Sequence, residues 1–402
     1  MPTHLTAVYD LEVSPSSYDI ATFLISAETV RVRLKLQEIK LLVVSGPNNG
    51  FRPHCTRTHS ENITFLENVI KPITSLMPSV IAFIHCTRAD AMNFLRHVKP
   101  NELFPRGFKL ETPATGYNLN HISLAQILDL PPPKFKTPVF AEELADQFIR
   151  QLPEGQGFIT LTTREISREN PDNTRSIDFA AWQTAIDILK NRGILTVVIR
   201  DTHAAFTRIP MFKGAIEIPE ASLSVAFRLA IYERALINFA KNNGPTLLLY
   251  FSNTTSTVFF ETSEEFIQLS EKYLEKVCGL TKGGQMPMTT KSKNILWQRE
   301  TTDTILLEVD IAVSKDRHTN ILHSFETSKQ FKVLYEGALA CWLRDIYRTE
   351  GKDEIIHLIK NDRDILFSLE SFFRGSPLGE GEFYSQGGIM IPDPIMNRLM
   401  KT

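Results

Sequence analysis

The chain has 402 residues, with 44 Lys and Arg against 46 Asp and Glu and a formal net charge of −2. At roughly 150 residues per domain, this length predicts two or three domains, and the near-neutral charge is not that of a nucleic-acid-binding protein. Hydrophobic residues make up 43% and charged residues 22%, which is ordinary globular composition and excludes a disordered chain.

The four cysteines include no CxxC pair, which indicates free thiols in a reducing compartment. The start of the chain has neither the basic nor the apolar region of a signal peptide. No run approaches about 18 apolar residues, the length that a spanning helix needs. We therefore expect a cytoplasmic protein without a transmembrane segment, and peripheral attachment to the inner face of a membrane is left open.

The first half of the chain alternates apolar strands with helices. Strands are predicted over residues 5–13, 39–44 and 80–84, and helices over residues 20–30 and 90–98. Ser16 or Ser17 is expected to cap the first of these helices. Apolar strands separated by a helix predict a parallel sheet.

A proline-rich segment divides the chain. Residues 130–138 contain three consecutive prolines and Pro138, which favour extended backbone over a helix. We predict an interdomain linker here. It separates an N-terminal domain (residues 1–130) from a second domain (139–327), and a helical C-terminal extension follows (328–402).

The second half repeats a strand, loop, helix and strand. This pattern predicts a doubly wound, nucleotide-binding α/β arrangement, in which Gly193 suits the end of a helix. The predicted strands are residues 157–162 and 194–199, and the predicted helices are residues 141–152, 179–191, 223–240, 331–348 and 353–373. Residues 242–245 are predicted to form a turn, and residues 246–251 a strand or the start of a buried helix.

Several familiar site motifs are absent from the sequence. Neither GxGxxG nor GxxxxGK[ST] occurs, which argues against a dinucleotide dehydrogenase and a P-loop enzyme. HExxH and GxSxG are also absent. His54, Cys55 and His59 are neighbours without further ligands nearby in sequence, so no metal site is predicted.

The polar loop over residues 164–178 is the strongest candidate for ligand binding. It follows a predicted strand, and open α/β sheets bind ligands at the carboxyl ends of their strands. Arg164, Arg168 and Arg175 can make bidentate contacts to phosphate, and Asp178 precedes the next helix. The alternative is a solvated loop that exchanges ion pairs among its own charges.

Two further polar groups follow predicted strands. Arg200 and Asp201 end the strand at 194–199, and Asp201 can either accept hydrogen bonds from a ribose or cap the next segment. Asn243, Gly244 and Pro245 offer backbone groups to the same crevice, although a plain tight turn is the simpler interpretation.

Three acids bracket the first strand-to-helix loop. Asp10, Glu12 and Asp19 are candidates for a general base. Asp19 also fits a surface acid that the helix dipole stabilises at a helix start.

Residues 157–206 and 232–251 resemble the C-terminal half of GT-B glycosyltransferases of the heptosyltransferase type. Those enzymes have a strand, a polar donor-binding loop, a helix with Trp near its start, and a strand ending in a polar pair. The matching pieces are residues 158–161, 164–178, Trp182 and residues 194–201. Their Asp-Ser-Gly-Pro turn, which touches the donor diphosphate, is similar to Asn242-Asn243-Gly244-Pro245, in which asparagines replace the acid and the serine.

Residues 9–325 are also similar to an uncharacterised bacterial family encoded among surface-polysaccharide genes. The short matches include Asp10-Leu11-Glu12, Gly50-Phe51-Arg52, Arg164-Glu165 and Asn243-Gly244-Pro245.

These resemblances imply an α/β fold with two Rossmann-like domains facing each other across a cleft. They imply sugar transfer from a nucleotide-activated donor to a glycan or lipid-linked acceptor, with the nucleotide sugar as substrate and no metal or other cofactor. In this interpretation the three loop arginines neutralise the donor phosphates, and Asn243 and Gly244 hold the diphosphate. Arg200 or Asp201 holds the nucleoside, and Asp19 or Glu12 deprotonates the acceptor.

Two other functions remain open from the sequence. A nucleotide-sugar epimerase could use the same fold. A non-catalytic subunit that binds a sugar or nucleotide is also compatible, because the resembling turn lacks its acid.

Overall fold

The structure is a computed structural model. It describes residues 3–53, 57–99, 102–106, 108–113, 115, 119–127, 130–165, 175–266, 269–275, 280–314 and 321–323. Arg168 and the helices predicted at 331–348 and 353–373 lie outside the described residues.

The first half forms a parallel four-stranded sheet. Its strands are β1 (His4–Asp10), β2 (Glu38–Val44), β3 (Val80–Cys86) and β4 (Leu103–Phe104), in the order β3-β2-β1-β4. All residues of β1 after His4 are buried, as expected for a strand covered on both faces. Because β2 and β4 lie on opposite sides of β1, the strand order reverses between β1 and β4.

Helices cover this first sheet. They are α1 (Asp19–Arg33), α2 (His59–Phe65), α3 (Lys71–Thr74), α4 (Arg88–Leu95) and α5 (Asn120–Ile127), with a π-helical turn (Leu66–Ile70) joining α2 to α3. Thr58 caps α2 in a capping box with Glu61. The predicted cap of α1 is wrong: Tyr18 occupies the N-cap without a side-chain capping bond, and the Ser17 hydroxyl bonds the Asp19 carboxylate instead.

Residues 130–138 form neither helix nor strand. Two backbone bonds hold this segment between the halves: the Phe135 N–H donates to the Phe251 carbonyl (2.7 Å), and the Lys136 N–H donates to the Leu76 carbonyl (2.8 Å). The segment leads into α6 (Val139–Ile149). The division of the chain into domains at residues 130, 139 and 328 stays a prediction.

The second half forms a parallel six-stranded sheet. Its strands are β5 (Gly157–Thr162), β6 (Ile194–Ile199), β7 (Ile216–Glu217), β8 (Asn238–Lys241), β9 (Ser256–Phe259) and β10 (Lys293–Leu296), in the order β10-β9-β8-β5-β6-β7. Counted from β5, this is the doubly wound 3-2-1-4-5-6 order. The order reverses between β5 and β8, which is where such sheets bind ligands.

Helices also cover the second sheet. They are α7 (Phe179–Asn191), α8 (Pro219–Leu223), α9 (Val225–Arg234), α10 (Thr246–Tyr250), α11 (Glu271–Tyr273) and α12 (Thr302–Val313). The apolar face of α7 packs on the sheet, where Trp182 meets the Phe239 ring edge-on at 5.2 Å. Gly193, just beyond the Arg192 C-cap, has the positive φ of 75° expected of glycine there.

The predicted α/β class with two Rossmann-like parallel sheets is confirmed. The helix predicted over residues 223–240 is wrong in its second part, because α9 ends at Arg234 and residues 238–241 form β8. The reason is tertiary: the Asn238 amide donates to the Tyr232 and Thr255 carbonyls and accepts from the Thr160 hydroxyl. None of the described helices is both long and apolar enough to cross a membrane.

Candidate functional site

The carboxyl edges of the two sheets face each other. Tyr18 follows the loop after β1, and Gly244 lies in the turn after β8. A Cβ atom added to Gly244 would stand 2.7 Å from Cδ2 of the Tyr18 ring. The crevice between the edges therefore brings together the loops after β1, β5, β6 and β8.

Two half-buried arginines flank the carboxyl end of β5. Burial lowers the pKa of Arg164. Burial, and then the neighbouring Arg164, lower the pKa of Arg175 to about 10, while Asp201 acts in the opposite direction on both. Two guanidinium groups thus stand close enough to repel each other, with the same carboxylate near both.

A third arginine, Arg228 on α9, was missed by the sequence analysis. Its side chain is buried, and its guanidinium donates to the Ala221 carbonyl (2.7 Å). Burial acts to lower the pKa of Arg228, but Tyr18, Tyr232 and Asp201 outweigh it and raise that pKa. The signal in the sequence was an arginine inside an apolar helix, VAFRLAIYER.

Asp201 is therefore a carboxylate that acts on the pKa values of Arg164, Arg175 and Arg228 alike. The Asp201 carboxylate also accepts the Glu165 N–H at 2.8 Å. It makes no capping bond in the 3₁₀ turn that follows it (Thr202–Ala204), so the capping interpretation is wrong. Three guanidinium groups of the described residues thus act on one carboxylate at this edge of the sheet.

Several buried polar atoms at the same edge lack a partner within the described part of the chain. They are the Thr163 hydroxyl after β5, the Ser222 hydroxyl, and both amide atoms of Asn243 after β8. Asn243 is only 8% exposed. A buried polar group without a hydrogen bond costs about 1–3 kcal/mol, so these atoms are suited to a polar ligand or to water.

Arg200 is occupied by protein groups. Its guanidinium pairs with both oxygens of Glu165 (2.8 and 2.5 Å), lies 3.6 Å from Glu217, and donates to the Ile209 carbonyl (3.2 Å). Only 8% of Arg200 is exposed. This geometry suits a residue that shapes the loops after β5 and β6, and the predicted contact of Arg200 with a nucleoside stays a prediction.

The charged side chains after β8 form ion pairs with one another. The buried Lys241 ammonium pairs with Glu300 at 2.8 Å and with Glu261. Glu300 also accepts the Asp178 N–H at 2.6 Å. Asp178, predicted in the donor site, caps α7 by accepting the Ala181 N–H (3.1 Å) and pairs with Arg299 (3.1 Å).

In the first half, Asp10 and Glu12 share one arginine. The Arg88 guanidinium lies 3.1 Å from Asp10 and 2.8 Å from Glu12. Burial raises the pKa of Asp10, while the Glu12 N–H and Arg88 act against it. Both candidate bases are thus committed to an ion-paired cluster.

Asp19 differs from these two acids. Its half-buried carboxylate stands at the first position of α1, beside Tyr18. Burial raises the pKa of Asp19, while the Ser17 hydroxyl, Arg52 and Arg57 favour its ionised form. A carboxylate with a raised pKa at the crevice is suited to accept a proton.

No protein-family model and no curated protein matches the chain. Among solved structures, the chain is similar to the E. coli ADP-heptose lps heptosyltransferase II, with a TM-score of 0.47 and 9% identity over 78% of this chain and 99% of that chain. It is also similar to a glycosyl transferase family 9 structure from Veillonella parvula (TM-score 0.46, 9% identity, 85% of this chain and 99% of that chain).

A third similar structure is the E. coli heptosyltransferase WaaC with ADP (TM-score 0.42, 9% identity, 77% of this chain and 100% of that chain). Heptosyltransferases are thus among the structures to which this chain is similar, as the sequence resemblance predicted.

Proposed function

We propose that the protein is a glycosyltransferase that moves a sugar from a nucleotide-activated donor to a glycan or lipid-linked acceptor. One observation carries the proposal: Arg164, Arg175 and Arg228 all interact electrostatically with the Asp201 carboxylate, close to the point where the strand order reverses. Guanidinium groups complement the charge of a diphosphate, and the Asn243 amide, which has no partner among the described residues, supplies a neutral donor and acceptor.

The arginines act on the leaving group. When the bond between the sugar and the diphosphate breaks, negative charge grows on the departing phosphate oxygen. Guanidinium groups fixed in a partly buried site stabilise that charge more strongly than water does. Arg168 belongs to the same loop and stays in the proposal as a predicted phosphate ligand, together with the Gly244 and Pro245 backbone. In this mechanism the leaving group departs without a bound metal ion or other cofactor.

Asp19 is the proposed general base. It would accept the proton of the acceptor hydroxyl as that oxygen forms the new bond to the sugar. Asp10 and Glu12 are less suited to this step, because Arg88 holds both in ion pairs.

The proposal also includes a location and a pathway. The protein would act in the cytoplasm, at the inner face of a membrane, and would take part in surface-polysaccharide synthesis. This part is supported by the sequence resemblance to surface-polysaccharide proteins. A lipid-linked acceptor would bring the protein to a membrane surface by peripheral contact.

Calorimetric titration with ADP, GDP, UDP and CDP tests the donor site. We expect at least one of them to bind, and Arg228→Met to weaken that binding roughly 10- to 100-fold, the scale of a charged hydrogen bond. Arg192→Met is the matched control, because Arg192 is exposed at the far end of α7 and pairs with Asp310 at 2.9 Å. A thermal melt of each variant shows whether it is folded.

Activity is then tested with the sugar nucleotides of the base that binds, with and without glycan acceptors. Transfer to an acceptor supports the proposal. Binding without transfer or hydrolysis would indicate a sugar-nucleotide-binding subunit, and a changed sugar without an acceptor would indicate an epimerase. No binding of any of the four nucleotides would contradict the donor site itself.

A further inference from the structure

Tyr18 of the first half lies directly on the backbone of Gly244 in the second half. The three atoms nearest to a Cβ added at Gly244 all belong to Tyr18: Cδ2 at 2.7 Å, and Cβ and Cγ at 2.9 Å. Real Cβ atoms do not approach other atoms to 2.7 Å, so the ring occupies the place of a side chain at residue 244. Gly244 has no positive φ, so its backbone conformation does not require glycine.

The loop that carries Tyr18 is fixed to the first half at several points. The Tyr9 hydroxyl donates to the Pro15 carbonyl at 2.6 Å. Arg57 donates to the Ser16 carbonyl at 2.9 Å, and the Ser16 hydroxyl bonds the Asn62 side chain. These bonds hold in place the backbone that leads to Tyr18.

Functional groups stand beside the contact on each side. Asp19 follows Tyr18 and opens α1. Asn243 precedes Gly244, and its backbone carbonyl accepts both the N–H (3.2 Å) and the hydroxyl (2.6 Å) of Thr246, which opens α10. The Tyr18 ring thus lies between the start of α1 and the turn that precedes α10.

We propose that Tyr18 is a positioning residue that couples the turn over residues 242–245 to the first turn of α1. Residue 244 has to be glycine because the ring fills the space of its side chain. Where the turn binds a diphosphate, which rests on the proposed function, occupation of the turn fixes the position of Asp19 across the crevice. The contact between the halves can be tested without any ligand.

Hydrogen exchange of the full chain, followed by mass spectrometry, tests the contact. In Gly244→Ala we expect peptides over residues 14–24 and 242–250 to exchange at least about tenfold faster, because local opening sets exchange rates. Gly157→Ala is the matched control: its added Cβ would also meet an atom at 2.7 Å, but this is the flexible Leu236 side chain within the second half. It should change neither peptide.

Variants of Tyr18 show whether the loss of its ring is what speeds the exchange. Tyr18→Ala should speed exchange in the same two peptides, and Tyr18→Phe, which keeps the ring, should leave both as in the wild type. The double variant Tyr18→Ala/Gly244→Ala should be no faster than the faster single variant, because both substitutions remove one contact. Additive effects, or faster exchange in residues 242–250 alone, would overturn the proposal.

Inorganic pyrophosphate then probes the coupling. In the wild type it should slow exchange in both peptides; in Tyr18→Ala it should slow only residues 242–250, with its affinity changed less than about threefold. Slower exchange over residues 14–24 that persists in Tyr18→Ala would overturn the coupling. If pyrophosphate slows neither peptide in the wild type, the diphosphate site of the proposed function fails. The ligand-free comparison then decides the Tyr18 contact by itself.

Discussion

The two sheets present opposite chemistry at their carboxyl edges. After β1, Asp10 and Glu12 are matched by the Arg88 guanidinium between them. After β5 and β6, Arg164 and Arg175 share the Asp201 carboxylate with a further arginine from α9. At the first edge two carboxylates share one guanidinium, whereas at the second edge three guanidinium groups of the described residues act on one carboxylate.

This difference shows how one fold used twice can serve two tasks. Parallel sheets place the loops after their strands at one edge, so each edge is a place where ligands can bind. An edge at which two carboxylates share one guanidinium has little to offer an anion, whereas neighbouring guanidinium groups that are partly or fully buried are stabilised by one. Asp19 lies outside the Arg88 cluster and next to Tyr18, which contacts Gly244 of the second half.

Replacement of Asp19 has the largest expected effect. Asp19→Asn keeps the shape of the side chain but cannot accept a proton, so turnover should fall roughly 10²- to 10⁴-fold while nucleotide affinity stays nearly unchanged. Steady-state kinetics and calorimetry measure the two quantities. Asp10→Asn and Glu12→Gln are the comparison variants; loss of turnover in one of them, with retention in Asp19→Asn, would move the role of base to the Arg88 cluster.

The sequence predicted β5, α7 and β6 to the residue because their signals are local. An apolar run, a helical period with Trp182 and Ala185 on one face, and Gly193 beyond the helix end suffice there. The strand at 238–241 could not be found in this way, because Asn238 obtains its partners from Thr160 and Thr255. Its tertiary bonds override a sequence that continues the helical pattern.

The site was predictable only in part, for a similar reason. The position of Arg164 after a strand was enough to place it at the edge of the sheet. The pairing of Asp10 with Arg88 joins residues 78 positions apart, and no local pattern contains it. Arg228 interrupts an apolar helix, which in a sequence alone is compatible with a surface position as well as with a buried one.

Replacement of Lys241 tests whether the ion pairs after β8 stabilise the fold. It is 1% exposed and pairs with Glu300 and Glu261, so Lys241→Met leaves buried carboxylates without their cation. We expect the free energy of unfolding to fall by about 3–5 kcal/mol in urea denaturation. Lys71→Met, which breaks an exposed pair with Glu67 (3.3 Å), should cost about 1 kcal/mol or less. Equal effects of the two variants would contradict a structural role for these ion pairs.

Arg164 and Arg175 should contribute to binding more than to stability. Arg164→Ala and Arg175→Ala are each expected to weaken nucleoside diphosphate binding by about 1.5–3 kcal/mol, the range of hydrogen bonds to charged groups. Because both are partly exposed loop residues, whose ion pairs contribute little to stability, removal of either should change the melting temperature little. Calorimetry and thermal melts measure the two effects. Unchanged affinity in both variants would remove the loop after β5 from the site.

The pH dependence of the rate tests Asp19 in another way. A general base acts only when ionised, so kcat/KM should rise about tenfold per pH unit below the pKa of Asp19 and level off above it. Burial places that pKa above the ordinary value of 3.8. Arg57→Gln removes a charge that favours the carboxylate, so the rise should move to higher pH. A profile that is identical in the wild type and in Asp19→Asn would assign the rise to another group.

Replacement of Asp178 has the smallest expected effect on nucleotide affinity. Its carboxylate caps α7 through the Ala181 N–H, and loss of an N-cap costs about 0.5–2 kcal/mol of stability. The pair with the exposed Arg299 adds little. Asp178→Ala should therefore resemble Thr301→Ala, which removes the cap of α12, with nucleotide affinity within about twofold of the wild type in both. If Asp178→Ala weakens nucleotide binding tenfold or more while Thr301→Ala does not, the donor site includes the start of α7, as the sequence predicted.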